Sequence, residues 1–245
     1  MDEDMRKMFN GVKIKGFNYT TLIDWEGRVA SIIFLGGCNF RCSYCHASSL
    51  VLKPDTLADI PIEEVKAYLK DKKDWISGLV VCGGEPTIYD SLPSFLFEFK
   101  KLGMPVKLDT NGSRPQVLKR LFDKQLVDYI AMDIKAPLED QGLYRIITGV
   151  AVDMNKIKDS IQYIRSSDID YEFRTTVAPS QLKEKDIISI ARQISGAKRY
   201  FLQQFVPNET IDSEMMKVKV IPLKELKKMA ASARNYVPNT TVRGR

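Results

Sequence analysis

Six short apolar runs, each followed by a stretch with helical spacing, constrain the fold of this chain more than any other feature. They are "ASIIFL" (30–35), "GLVVC" (78–82), "PVKLD" (105–109), "VDYIAMDI" (127–134), "YEFRTTV" (171–177) and "RYFLQQF" (199–205). Runs that are apolar at consecutive positions and rich in β-branched residues read as strands covered on both faces. Between them, Leu92, Phe95, Leu96, Phe99 and Leu102 fall on one helical stripe, as do Ile157, Ile161 and Ile164, and again Ile187, Ile190, Ala191 and Ile194. Strand, loop and helix in repeated alternation imply parallel strands joined by crossover helices. The pattern leaves two arrangements open, a flat doubly wound sheet or a curved partial barrel. With 245 residues, 44% hydrophobic and 28% charged, and no internal repeat, low-complexity tract or linker, the expectation is one α/β domain over 1–245.

No apolar stretch approaches the roughly 20 residues that span a bilayer. The first residues, "MDEDMRKMFN", carry no apolar signal segment, so a cytoplasmic protein with reduced thiols is expected. The formal net charge of +6 is spread along the chain, as in "KDKKD" and "LKELKKMA", where solvated helix faces account for it. The excess favours an acidic partner and does not require nucleic acid.

Three of the four cysteines lie within eight positions, in "GGCNFRCSYCHAS", directly after the first apolar run. A structural zinc site wants four ligands, typically in two separated pairs. One group of three, Cys38, Cys42 and Cys45, lets a short loop wrap thiolates around one face of a soft metal centre, and iron–sulfur clusters select thiolates. A disulfide framework and a zinc site completed by His46 are the alternatives. Cys82, in "LVVCGG", reads as a small core hydrophobe.

The other unusual residues follow later runs: "GGEPT" (Gly83, Gly84, Glu85), "DTNGS" (Asp109, Thr110, Asn111) and "DIKAP" (Asp133, Lys135). Sites in parallel α/β folds form at the carboxyl ends of strands, so these loops are expected on one rim with the cysteines. Missing Cβ atoms at Gly83 and Gly84 would allow a ligand to approach the backbone, and Glu85 could accept from an ammonium group. A turn, with Ser113 as helix N-cap before Pro115, and a surface pair of Asp133 and Lys135 are the plainer readings.

Taken together, "GFNYTTLIDWEGRVASIIFLGGCNFRCSYCHASSLV", "GGEPT", "DTNGS", "MDIKAP" and "FRTTVAP" resemble the radical S-adenosylmethionine enzymes, and among them the activating enzymes of glycyl-radical enzymes. Likeness is greatest to the short activating proteins of anaerobic ribonucleoside-triphosphate reductase. It covers about 16–206, leaving 207–245 as a C-terminal extension. The resemblance implies a partial (β/α)6 TIM-like barrel of parallel strands, a 4Fe-4S cluster on Cys38, Cys42 and Cys45, and S-adenosylmethionine on the cluster's open iron. It places Tyr44 at the adenine, and Gly83, Gly84 and Glu85 at the methionyl amino group. Asp109, Thr110 and Asp133 would lie at a monovalent cation, Lys135 near the carboxylate, and Asn111, Arg174 and Thr176 at the cofactor. It further implies an electron donor such as flavodoxin or ferredoxin and a glycyl-radical enzyme as partner. Ala47 stands where relatives often carry asparagine after "YCH", and Gln203 and Gln204 where some carry histidine. A small molecule or modified nucleotide, as in deazaguanine synthases, is the alternative substrate; a non-catalytic iron–sulfur protein leaves "GGEPT", "DTNGS" and "DIK" unexplained. With few residues beyond Phe205 to cover it, a lateral cleft would suit a polypeptide loop.

Overall fold

A computed structural model describes residues 11–244. Eight strands, β1 (Ile14–Thr21), β2 (Ala30–Leu35), β3 (Gly78–Gly83), β4 (Val106–Thr110), β5 (Tyr129–Asp133), β6 (Asp170–Val177), β7 (Tyr200–Gln204) and β8 (Thr240–Arg243), form one sheet in chain order. The six runs expected as strands are β2 to β7, and crossover helices make their pairing parallel, as in Ala30↔Gly78 and Phe173↔Tyr200. The sequence reading had no place for β1 or β8. β1 pairs antiparallel with β2, with Ile14 opposite Leu35; its polar outer positions hide a strand pattern, and four-residue β8 is too short to show one.

The helices are α1 (Ser48–Leu52), α2 (Ile62–Asp71), α3 (Leu92–Lys100), α4 (Pro115–Asp123), α5 (Gln141–Thr148), α6 (Met154–Ser166), α7 (Glu184–Gln193) and α8 (Leu223–Ala233). α3 buries Leu92, Phe95, Leu96 and Phe99, as their spacing required, but ends before Leu102. Asp153 caps α6 by accepting from Asn155 N (3.0 Å), and Asp140 caps α5, which Gly149 ends in the left-handed region at φ 69°. Ser113 does not cap α4: Arg114 holds that position with no side-chain cap, Pro115 starts the helix, and the Ser113 N–H is donated instead to Asn111 Oδ1 (2.9 Å). That bond closes an Asx turn at the end of β4. Among the described residues no helix is long and apolar enough to cross a membrane.

The chain divides into two compact units. The first holds β1 to β4 and α2 to α4, around a core of Trp25, Ala30, Ile32, Val80 and Tyr129, against which Phe34 and Cys82 pack. Its buried Lys107 donates Nζ to the Asp24 carbonyl (2.5 Å) and lies over the Tyr129 ring (5.0 Å). The second holds β6 to β8, α5 to α8 and residues Phe40–Ser48. In it Tyr200 Oη donates to Thr175 Oγ1 and that hydroxyl to the Ile134 carbonyl, both at 2.8 Å, so the buried polar groups of β6 and β7 are matched within the sheet.

Candidate active site

In the first unit the chain leaving β3 is laid on the chain leaving β2. Gly84 N donates to Leu35 O (2.9 Å) and Glu85 N to Gly37 O (2.8 Å), while Tyr89 Oη donates to Gly36 O (2.6 Å). Gly83 sits at φ 125°, and a Cβ there would stand 2.3 Å from Leu35 N and O; one on Gly84 would stand 1.8 Å from Gly37 O. The sequence suggested that these glycines admit a ligand. Their missing Cβ atoms are used on the protein's own backbone, and they fix Gly37, the residue before Cys38.

Glu85 is almost fully buried. Its Oε1 accepts from Thr87 N (3.0 Å), Thr87 Oγ1 and Thr110 Oγ1 (2.7 Å), so the carboxylate ties "GGEPT" to the end of β4. Asp109, one residue earlier on β4, lies 4.0 Å from Lys107 Nζ. Glu85, Asp109 and Thr110 thus share one region, as expected of loops following neighbouring parallel strands.

In the second unit the loop bearing Cys42 and Cys45 is clamped from two sides. Arg41 N donates to Thr148 O (2.7 Å) and Ser43 N to Ile147 O (3.3 Å), where a Cβ on Gly149 would clash with the Arg41 carbonyl (2.6 Å). From the other side, Ile211 N donates to Cys45 O (3.2 Å) and Asp212 N to Ser43 O (3.0 Å). Gln181 Nε2 is 2.6 Å from Ser43 Oγ. His46 stacks on Phe205 and its Nε2 lies 2.8 Å from Val206 O, which gives the single histidine a local role. Residues 206–212, expected only as a cover, therefore hold the cysteine loop in place.

Tyr44 is buried between these clamps, and its hydroxyl has no hydrogen-bond partner among the described residues. Burial raises its pKa far above the phenol range, with Lys135 opposing. The Lys135 ammonium lies over the Tyr44 ring, 5.7 Å from its centre. Burial also pushes the Cys42 thiol up to about 11, again against Lys135, so a metal binding there must displace a proton. Lys135 Nζ donates to Asp133 Oδ2 and Arg174 Nε to Asp133 Oδ1, each at 2.9 Å. Burial alone would raise the Asp133 carboxyl, but the Arg174 and Lys135 charges outweigh it and hold it at about 2. Asp133 and Lys135, suggested as a surface pair or a site, are in the half-buried interior with Arg174. Thr176 is two residues further along the same face of β6.

None of the four cysteines is in a disulfide, and among the described residues no three His, Cys, Asp or Glu side chains are gathered into a ready ligand set. Sequence reasoning missed Gln181 and Phe205, which position the cysteine loop through tertiary contacts alone. Gly37 was visible, in "GGC", as the residue that starts it.

Comparison with known proteins adds an independent line. A family model described as "Radical SAM superfamily" matches residues 32–194. A protein of Methanocaldococcus jannaschii named "Putative glycyl-radical enzyme activating enzyme" is 30% identical over 237 residues, 94% of this chain and 95% of that one. A pyruvate formate-lyase-activating enzyme of Streptococcus mutans is 26% identical over 77% of this chain and 74% of its own. The crystal structure of Streptococcus suis SuiB bound to S-adenosylmethionine superposes with a TM-score of 0.65 at 16% identity, over 85% of this chain. The chain spans about half of SuiB, 48% of its length, and that likeness concerns the fold. A match through the cysteine loop and five of the eight strands, β2 to β6, joined to an end-to-end relative, settles the membership: the chain belongs to the radical SAM superfamily of enzymes.

Proposed function

We propose that this enzyme activates a glycyl-radical enzyme, taking a hydrogen atom from a backbone glycine of that partner. The observation that carries the reading is the second unit's cysteine loop. Two thiols flank a buried tyrosine whose hydroxyl has no partner among the described residues, beneath a cation held by Asp133. A buried polar atom without a partner fits a site completed by a bound group. Thiols outside any disulfide and spaced as C-x3-C-x2-C are the donor chemistry an iron–sulfur cluster requires. The nearly coextensive likeness to the Methanocaldococcus protein supports the activating role over other radical chemistries.

In this reading Cys38, Cys42 and Cys45 ligate a 4Fe-4S cluster. Lys135, already charged and oriented by Asp133, meets the carboxylate of S-adenosylmethionine, and Tyr44 borders the adenine. Glu85, Thr110 and Asn111, with the Gly83–Gly84 backbone, border the methionyl part; Asp109, Arg174 and Thr176 complete the surround. When bound, the cluster would supply one-electron reductive cleavage of S-adenosylmethionine, with a flavodoxin- or ferredoxin-type donor as the electron source and methionine, 5′-deoxyadenosine and the partner's glycyl radical as the products. The protein's part is to hold and orient these groups and to keep water away from them. Both Asp133 oxygens already serve protein cations, so the reading gives no metal cation to that carboxylate. The whole chain acts as one radical SAM domain, 16–206 with 207–245 appended, in a reducing cytoplasm where its thiols persist.

The deciding experiment mixes the reduced, iron-reconstituted protein with S-adenosylmethionine and a glycyl-radical enzyme from the same genome. Electron paramagnetic resonance should then show a glycyl doublet on the partner. Release of 5′-deoxyadenosine together with a small-molecule product, and no partner radical, would overturn the activating role in favour of a small substrate.

A further inference from the structure

Five side chains of alternating charge run without a break through the second unit, from Lys135 and Asp133 at the end of β5, through Arg174 and Glu172 of β6, to Arg243 of β8. Lys135 and Arg174 each hold one oxygen of Asp133 at 2.9 Å. On its other side, Arg174 NH1 lies 4.0 Å from Glu172 Oε1. Arg243 forks onto Glu172, NH1 to Oε1 at 2.6 Å and NH2 to Oε2 at 2.9 Å. The Arg243 guanidinium is also stacked over Phe201 of β7, 3.5 Å from the ring centre. Glu172 is 1% exposed.

Arg174 therefore stands between two carboxylates. Whether its charge is spent on Asp133 or drawn toward Glu172 depends on what else serves Glu172. A planar fork on both oxygens, stacked on an aromatic face, is the strongest service a carboxylate can receive from a side chain. A buried carboxylate stripped of its cation would draw in the nearest remaining one. We propose that Arg243, from the last strand, is a positioning residue for the cofactor. By satisfying Glu172 it leaves Arg174 committed to Asp133, and Asp133 in turn holds Lys135 over Tyr44 and beside Cys42. The final four-residue strand is then part of the cofactor apparatus. The proposal rests on the reading that Lys135 meets S-adenosylmethionine.

The test measures S-adenosylmethionine binding by equilibrium dialysis in the iron-reconstituted full chain, with iron content and thermal unfolding recorded beside it. Outer partners tune the groups they hold by about 10- to 100-fold, so Arg243→Ala should weaken binding about tenfold while iron per chain stays at the wild-type level. Arg243→Lys, which keeps the charge without the fork, should fall between. The informative variant is the double change Glu172→Gln with Arg243→Ala. It removes the competing carboxylate together with its cation, so affinity should return to within about twofold of wild type, even though the anchor of β8 is gone. Wild-type affinity in Arg243→Ala, or a double variant as weak as the single one, would overturn the proposal. In the second case Arg243 merely fastens the strand. Failure of the wild-type chain itself to bind S-adenosylmethionine would sink the functional reading and this inference with it. A binding wild type with an unaffected Arg243→Ala sinks the inference alone.

Discussion

Gly84 and Gly37 pack backbone on backbone, so closely that a Cβ on Gly84 would stand 1.8 Å from the Gly37 carbonyl oxygen. No rotamer can relieve such a contact, because a Cβ and a carbonyl oxygen are both fixed by the backbone just beyond β2 and β3. Gly84→Ala must separate the ends of β2 and β3, breaking the Glu85 N to Gly37 O bond (2.8 Å) and shifting Cys38. Overpacking of this kind costs about 3 kcal/mol. Thermal unfolding should show that loss, and iron bound after anaerobic reconstitution should fall well below wild type. Normal iron content in a destabilised Gly84→Ala protein would separate the glycine from the cysteine loop.

Ligand assignment is checked by iron and sulfide analysis. Reconstituted wild type should hold about four irons per chain, and alanine at Cys38, Cys42 or Cys45 should abolish this. Cys82→Ala should leave it intact, since Cys82 packs with the Trp25 and Val80 core. His46→Ala should also keep its iron, because that ring is committed to Phe205 and the Val206 carbonyl. A full complement in Cys42→Ala would refute the assignment.

Glu85 tests the first unit's contribution. Its alanine variant leaves two threonine hydroxyls and the Thr87 N–H without their acceptor, a loss of about 1 to 3 kcal/mol. Iron content should be retained, while 5′-deoxyadenosine production under strong reduction should fall to the level of a cluster-free control. Turnover at the wild-type rate would confine Glu85 to a structural role.

Asp133 gives a pH signature. Its folded pKa, about 2, lies below the ordinary aspartate value of about 3.9. Its stabilising contribution is therefore complete above the ordinary value and lost as pH falls toward the folded one. Replacing it by asparagine strands Lys135 and Arg174 in a half-buried site and should cost about 3 to 5 kcal/mol at neutral pH. The difference in melting temperature between wild type and Asp133→Asn should be flat from pH 7 to 5 and shrink between about pH 4 and pH 2. A difference that persists at pH 2 would mean that the ion pairs are not its source.

The strands β2 to β7 were legible because each is apolar at consecutive positions, a local property that follows from being covered on both faces. The capping of α4 was misread at Ser113 because the helix starts one residue later than that reading requires, with Arg114 at the cap position and Pro115 first in the helix. β1 escaped notice for the opposite reason to β2: only some of its positions are buried, and its pairing with β2 supplies what its composition does not announce.

The sequence by itself determined which chemistry is on offer. Three thiols at C-x3-C-x2-C, a glycine pair before Glu85, and Asp133 two residues from Lys135 are statements about spacing along one strand or loop, where local geometry leaves little freedom. Only the tertiary structure decided how those groups are held. Residues 206–212 fasten the Cys42–Cys45 loop, Gly84 yields its missing Cβ to Gly37, and Arg243 reaches Glu172 across 71 positions of chain. Such relationships join residues that no periodicity links. Their energy comes from burial and charge pairing, which exist only once distant strands have been brought together.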